Sequence, residues 1–235
     1  MNPLLIDCTN AIGVPLMYDR SDAGYGVPVE GVRFKGTQKL YDALEGVGRD
    51  LKQIGWWEYI ESVLTAGLYV KKPGGHGDGT DIDIDGVVLK PNPLEPDQTI
   101  RILTYKSADT DFYWNESMKA WFHRGFLPDR IKTRLACLFS LRFPIVLTAG
   151  YNAAHEDHIH MSIAGEVGWR GSRSQVVLVQ ETLNAWFDAG LVVDSILGDL
   201  TTYMWFHEYG MDKPNTERWL AWLKMIAFDP PKDGA

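Results

Sequence analysis

The sequence predicts an α+β fold, in which a small antiparallel sheet with flanking helices is followed by a small C-terminal three-helix domain. Before residue 164, strand-like and helix-like segments are intermixed without a regular strand–helix–strand alternation. A glycine- and serine-rich stretch, 164–174, then interrupts the pattern, and residues 175–229 carry almost only helical periodicity. We therefore expect two domains, which cover residues 1–168 and 169–235.

Apolar spacing indicates the elements of the first domain. Apolar residues recur every three or four positions over 36–53, which predicts a helix that Gly46 and Gly48 weaken. Residues 81–89, DIDIDGVVL, alternate strictly and predict a strand after the glycine-rich turn 73–80. The other expected elements are a β-rich run that ends segment 59–72, a proline-rich loop at 90–98, helices over 117–127 and 129–141, and strands over 144–150 and 158–165.

The second domain shows three apolar stripes at helical spacing. The segments TTYMWFHEYG (201–210) and TERWLAWLKMIAF (216–228) carry two of them. The other stripe consists of Leu178, Val179, Leu183, Trp186 and Phe187. We expect the tryptophans of this region to be mostly core residues, although an exposed one could stack on a sugar. They are Trp186, Trp205, Trp219 and Trp222.

Composition excludes several classes of function. The chain of 235 residues has a formal net charge of −8 and no basic run, which argues against nucleic-acid binding. No apolar run reaches the roughly 18 residues of a membrane span. The N-terminal residues MNPLLIDCTNAIGVPL lack a basic region and a long apolar core, so we expect synthesis in the cytoplasm without a signal peptide. Cys8 and Cys137 lie in apolar contexts and predict buried free thiols, and two cysteines are too few for a cysteine-based zinc site.

One group of polar residues lies in and after the glycine-rich turn. His76 is in the turn, and Asp83 follows in the predicted strand, on the same face as Asp81 and Asp85. Three carboxylates on one face repel one another unless a cation, hydrogen bonds or solvent compensate. A solvated edge strand is therefore one interpretation. An EF-hand calcium loop is another, although Asn92 stands where that loop needs a glutamate.

A second polar group is the stretch HEDHIH, which holds three of the six histidines. It does not fit the H-E-x-x-H zinc helix, because Ile159 occupies the place of the second histidine. As a strand it would put His158 and His160 on one face, with His155 in the loop before it. An exposed polar strand end is the alternative. One histidine and one aspartate from the first group, with one histidine from this group, would supply the three protein ligands of a catalytic zinc site.

The two groups together carry a resemblance to a known family. The pattern H-x-x-G-x-x-x-D (His76, Gly79, Asp83), followed by H-x-x-H-x-H ending at His160, resembles the M15-type zinc peptidases of bacterial cell walls, which are also described as LAS or hedgehog-like. Within that group the chain is most similar to the extensin-like C-terminal and phage endolysin peptidase branch. The resemblance covers roughly residues 30–165.

The resemblance implies a set of site residues. It makes His76, Asp83 and His160 the ligands of a Zn²⁺ ion, and it gives Asp157 the position of the catalytic carboxylate. His155 and His158 match histidines that line the site. The family places an arginine upstream to stabilise the oxyanion, and this chain offers Lys71 or Lys72 instead, which lacks the bidentate guanidinium fork.

The C-terminal segment is similar to the peptidoglycan-binding three-helix repeat. Ser195 stands where that repeat usually has glycine, and Leu197 where it usually has phenylalanine. A generic helical bundle with the same apolar stripes is the alternative interpretation. The residues in register are Val179, Gln180, Leu183, Asn184, Gly190, Val193, Asp194, Leu197, Gly198, Thr201 and Phe206.

These resemblances imply a zinc metallopeptidase that hydrolyses peptide bonds of bacterial peptidoglycan. The absence of an evident signal peptide favours a bacteriolytic phage endolysin of the L-Ala–D-Glu or D-Ala–diaminopimelate type, which reaches the wall after release by a holin. Peptidoglycan is the expected partner, with no nucleic acid and no membrane, and we expect a monomer. The alternatives are a non-catalytic, metal-holding protein that binds the cell wall, and a calcium-stabilised virion component.

Overall fold

The computed structural model describes residues 4–19, 29, 31–56, 58–70, 73–90, 100–103, 127–155, 158–211 and 213–229. In these segments the fold is α+β, as predicted, with six α-helices and eight strands. The predicted helix over 117–127 and the loop at 90–98 lie almost wholly outside the described residues. No helix within the described part of the chain is both long enough and apolar enough to cross a membrane.

Two sheets are present. A two-stranded antiparallel sheet pairs β1 with β3, and a six-stranded mixed sheet has the order β2-β4-β5-β8-β7, with β6 also pairing with β5. β5 therefore lies inside the sheet, with β4 along one edge and β8 and β6 sharing the other. The strands are β1 (Ile6–Asp7), β2 (Leu16–Tyr18), β3 (Lys35–Gly36), β4 (Ile60–Gly67), β5 (Asp81–Leu89), β6 (Ile100–Leu103), β7 (Ile145–Leu147) and β8 (Ile159–Ser162).

One pair of strands in the larger sheet departs from the predicted antiparallel arrangement. β2 and β4 run parallel, with Leu16 opposite Val63. Helix α1 (Gln38–Gln53) lies between them in the chain, and a helical crossover of this kind joins parallel neighbours. The three residues of β2 are too few to give a readable alternation in the sequence.

Helix α1 packs closely against the N-terminal segment. The Thr37 side chain caps its first turn by accepting a hydrogen bond from the backbone N–H of Leu40. Its apolar stripe is buried as predicted. A Cβ atom at Gly48 would overlap the backbone carbonyl of Ile12, so this helical glycine permits the close approach of two segments. The buried Asp50 carboxylate of the same helix accepts two hydrogen bonds of 2.7 Å from Arg142.

The C-terminal segment is helical, as predicted. It forms α4 (Arg173–Phe187), α5 (Asp199–Tyr209) and α6 (Thr216–Phe228). These helices share one continuous apolar core with the sheet, because α3 (Leu127–Ser140) packs against both α4 and α6. The division into domains at residue 168 stays a prediction. Trp205, Trp219 and Trp222 are buried, which confirms their expected place in the core.

Polar residues of the repeat-like pattern hold the loop between α4 and α5. The Gln180 amide donates to Asp194 Oδ1 at 2.8 Å and accepts from the backbone N–H groups of Asp194 and Ser195. Asn184 donates to the carbonyl of Leu191 and accepts from its N–H. Because these side chains satisfy backbone groups of an irregular segment, their spacing in the sequence has a structural cause.

Both cysteines are free and buried, as predicted. Burial, together with the nearby charge of Asp7, raises the pKa of the Cys8 thiol to about 11. Burial also raises the pKa of Cys137 well above its ordinary value. Both thiols therefore remain protonated at neutral pH, and neither has the lowered pKa of an activated cysteine.

The glycine contact in α1 leads to a stability prediction. Gly48→Ala should lower the free energy of unfolding by about 1–3 kcal/mol, because the overlap with Ile12 outweighs the higher helix propensity of alanine. Urea denaturation measures the change. Gly46→Ala is the matched control, since its Cβ would lie 3.0 Å from the Arg142 side chain, a tight contact but not an overlap with backbone. Equal stabilities of the two variants would contradict the proposed close contact.

Candidate metal centre

The pairing of β5 with β8 brings the two polar groups of the sequence together. In the antiparallel register, Asp83 of β5 lies directly opposite His160 of β8. Side chains directly opposite each other on adjacent strands project to the same side of the sheet and approach closely. Residues about 77 positions apart in the chain therefore meet as neighbours.

His76 reaches the same place from a short helix, α2 (Gly75–Asp78), immediately before β5. Gly79 ends this helix with φ of 69°, a left-handed conformation that favours glycine. The glycine of the H-x-x-G-x-x-x-D pattern thus turns the chain from the helix into β5. That turn places His76 beside Asp83.

The Asp83 carboxylate lies between two imidazole rings. Its Oδ1 atom is 2.7 Å from His160 Nδ1, and its Oδ2 atom is 3.1 Å from His76 Nε2. Burial alone would raise the pKa of Asp83, but the hydrogen bonds from His160 and His76 outweigh it and hold that pKa well below its ordinary value. Asp83 is therefore a carboxylate at neutral pH, which is the form that binds cations.

A backbone carbonyl group fixes the orientation of the His76 ring. Its Nδ1 atom is 2.7 Å from the carbonyl oxygen of Leu68, just after β4. A carbonyl oxygen only accepts hydrogen bonds, so Nδ1 carries a proton, and Nε2 is the ring nitrogen that faces Asp83 and remains available to an ion. Histidine ligands of metals are commonly held in this way.

These three side chains form a group that could hold a metal ion. One donor atom from each of His76, Asp83 and His160 lies within 4.8 Å of the others. Two imidazole nitrogens and a carboxylate oxygen are a donor set suited to zinc and similar transition metals. The side chains are 11%, 17% and 15% exposed, so the group is sheltered but open to solvent on one side.

His155 and His158 lie beside this group. With His160 they form a second set of three donors within 4.8 Å of one another. His158 Nε2 lies 3.5 Å from Asp83 Oδ1. His155 Nδ1 lies 2.7 Å from Asn152 Oδ1, which also accepts the N–H of Ala154. An amide oxygen only accepts hydrogen bonds, so Nδ1 of this imidazole carries a proton.

The C-terminal helices support the loop that carries these groups, a contribution that the sequence did not indicate. Glu181 of α4 accepts a 2.8 Å hydrogen bond from the backbone N–H of Gly150. Arg173 of the same helix lies 5.5 Å from the centre of the Tyr151 ring, which in turn packs edge-on against His155. The position of His155 thus depends on residues of both predicted domains.

Two predicted site residues, the proposed base Asp157 and the proposed oxyanion-stabilising residue Lys71, lie outside the described residues. The alternative cation Lys72 lies outside them as well. Their roles stay predictions. The described part of the centre consists of the two sets of donors and the residues that orient them.

Two alternative interpretations of the sequence are wrong. β5 is an internal strand in which Asp81 and Asp85 are buried, so it is not a solvated edge strand. The same residues continue as regular strand to Leu89, which is incompatible with an EF-hand loop that begins at Asp81. His158 and His160 are 13% and 15% exposed, which also contradicts an exposed polar strand end.

Comparison with known proteins adds no assignment. No family model, no curated protein and no solved structure matches the chain. The resemblance to zinc peptidases therefore depends on the residues of its motifs, and the geometry of those residues carries the functional argument.

The contact between Glu181 and Gly150 can be tested directly. Glu181→Ala should lower the free energy of unfolding by about 1 kcal/mol and accelerate amide hydrogen exchange at Gly150, because that N–H loses a charged acceptor. Glu166→Ala, which removes an exposed carboxylate elsewhere, is the control. Unchanged exchange at Gly150 in Glu181→Ala would show that α4 does not support this loop.

Proposed function

We propose that this protein is a zinc-dependent peptidase that hydrolyses peptide bonds of bacterial peptidoglycan, in the manner of a phage endolysin. The observation that carries the proposal is the convergence of His76 Nε2, an ionised Asp83 and His160 Nδ1 at a partly open position. A catalytic zinc site needs three such protein ligands and leaves a position for water or substrate.

The donor set favours zinc over the common alternatives. Calcium and magnesium prefer oxygen ligands, whereas two of the three donors here are imidazole nitrogens. The three donor side chains are 11%, 17% and 15% exposed, so solvent reaches the group, as a catalytic zinc site with a bound water requires. The orientation of His76 by the Leu68 carbonyl means that one ligand is already positioned in the protein without metal.

The zinc ion and the protein side chains have different roles in the proposed reaction. Zinc supplies Lewis-acid chemistry, since it lowers the pKa of bound water to about 7 and polarises a carbonyl group. We assign Asp157 the transfer of the proton from the attacking water to the leaving amine, and Lys71 the stabilisation of the developing negative charge. His155, whose ring is oriented by Asn152, is the second candidate for the proton transfer.

The proposed substrate follows from the two resemblances rather than from the metal centre. The first part of the chain is similar to cell-wall peptidases, and the C-terminal helices are similar to a peptidoglycan-binding repeat. The bond to be cut is of the L-Ala–D-Glu or D-Ala–diaminopimelate type. Action on the wall after holin release, and a monomeric state, belong to the same proposal.

Metal content tests the centre before any activity is measured. The purified protein should bind about one zinc ion per chain by plasma mass spectrometry, and His76→Ala or His160→Ala should lose it, because each removes one of three ligands. His207→Ala is the matched control, since His207 is an exposed histidine of α5. Loss of zinc in the control alone, or retention in both site variants, would contradict the ligand assignment.

Activity on purified sacculi tests the peptidase proposal. Lysis should be abolished by EDTA and restored by zinc, and Asp157→Ala should reduce the rate by about 100-fold or more, as expected for loss of a general base. Mass spectrometry of the released muropeptides identifies the bond. Zinc binding without any release would instead support a metal-holding protein that binds the wall. Lysis by Asp157→Ala at the wild-type rate would transfer the base role to His155.

A further inference from the structure

A second buried carboxylate, Asp81, lies beside the centre and has no role in the metal set described above. It is 8% exposed and precedes Asp83 by two positions on β5, so both side chains project to the same side of the sheet. Its Oδ2 atom lies 3.5 Å from Nε2 of His160. Each ring nitrogen of His160 therefore faces a different aspartate.

The local sequence leaves room for this carboxylate. A Cβ atom at Gly75 would collide with both carboxylate oxygens of Asp81, so the residue before His76 has no side chain where Asp81 lies. Asp81 Oδ1 is also 3.1 Å from the hydroxyl of Thr80. The carboxylate is thus held in place on one side while Oδ2 faces the imidazole.

The two ring nitrogens of His160 differ in how closely a carboxylate approaches them. Nδ1 is 2.7 Å from Asp83 Oδ1, whereas Nε2 is 3.5 Å from Asp81 Oδ2, beyond the usual hydrogen-bond range of about 2.7–3.2 Å. A ring nitrogen that binds an ion must offer its lone pair, so a His160 ring bound through Nδ1 has its proton on Nε2. That proton faces Asp81, whose carboxylate can accept it in a hydrogen bond.

We propose that Asp81 is a positioning residue for the metal centre, which accepts a hydrogen bond from Nε2 of His160 when Nδ1 of that ring binds the ion. The inference rests on the zinc site of the proposed function, but not on peptidase activity. A carboxylate behind a ligand histidine fixes the ring orientation and increases the basicity of the coordinating nitrogen. Asp83 then serves as a ligand and Asp81 as the support of a ligand, although both aspartates contact the same histidine.

Zinc affinity, measured by competition with a chromophoric chelator, tests the proposal. Asp81→Ala should weaken binding by about 10–100-fold, the usual effect of removing such a partner, and Asp81→Asn should weaken it less because the amide oxygen still accepts a hydrogen bond. Asp78→Ala is the charge-matched control, since Asp78 is an exposed carboxylate in the neighbouring short helix. The thermal midpoints of the metal-free variants establish that each one is folded.

The outcomes separate this inference from the proposed function. Failure of the wild-type protein to bind zinc would overturn both. Binding by the wild type with equal affinity in Asp81→Ala and Asp78→Ala would overturn the role of Asp81 and leave the zinc site standing.

A spectroscopic measurement tests the mechanism of the effect. Long-range ¹H–¹⁵N correlation spectra of the zinc-loaded wild-type protein should show the His160 proton on Nε2, and slow exchange of that proton that is lost in Asp81→Ala. A proton on Nδ1 in the zinc-loaded protein would overturn the proposal, because the ion would then occupy the nitrogen that faces Asp81.

Discussion

The antiparallel register between β5 and β8 is the constraint on which the rest of the centre depends. It sets Asp83 opposite His160, and the same pairing sets Asp81 opposite Ser162. Side chains alternate between the faces of a strand, so a slip of one residue would move His160 to the opposite face. The buried Ile82, Ile84, Ile159 and Met161 on the other face oppose such a slip, because it would expose them.

The other residues of the centre come from elements outside the β5–β8 pair. His76 lies in α2, and the backbone carbonyl of Leu68, the residue after β4, orients its ring. Asn152 and His155 lie in the loop after β7. Glu181 of α4 stabilises that loop by accepting a hydrogen bond from a backbone N–H in it. The C-terminal helices therefore have a structural relation to the centre, whether or not they bind the cell wall as proposed. The common apolar core gives that relation a physical basis.

Much of the centre could be predicted from the sequence because its signals are local. The alternation of DIDIDGVVL predicted β5, and the spacing of HEDHIH placed His158 and His160 on one strand face. The pairing of the two groups came from the chemistry of zinc ligands. In the structure these two groups lie together, and His76, Asp83 and His160 form a set that could hold a metal ion.

The remaining features were not predictable from the sequence because they depend on tertiary contacts. The Leu68 carbonyl is a backbone group, so residue type carries no signal for its role. Asp81 and Asp83 look equivalent in an alternating strand, and only the position of the His160 ring distinguishes them. The sequence indicates only that Gly48 weakens α1. The close contact with the backbone of Ile12 explains why a glycine occupies this helical position.

The central claim is that His76, Asp83 and His160 bind one zinc ion, and anomalous X-ray diffraction tests it most directly. Crystals grown with zinc should be measured on both sides of the zinc absorption edge. We expect one dominant anomalous peak at about 2.0–2.2 Å from His76 Nε2, an Asp83 carboxylate oxygen and His160 Nδ1. A peak at any other set of donors, or none at these three side chains in a zinc-saturated crystal, would contradict it.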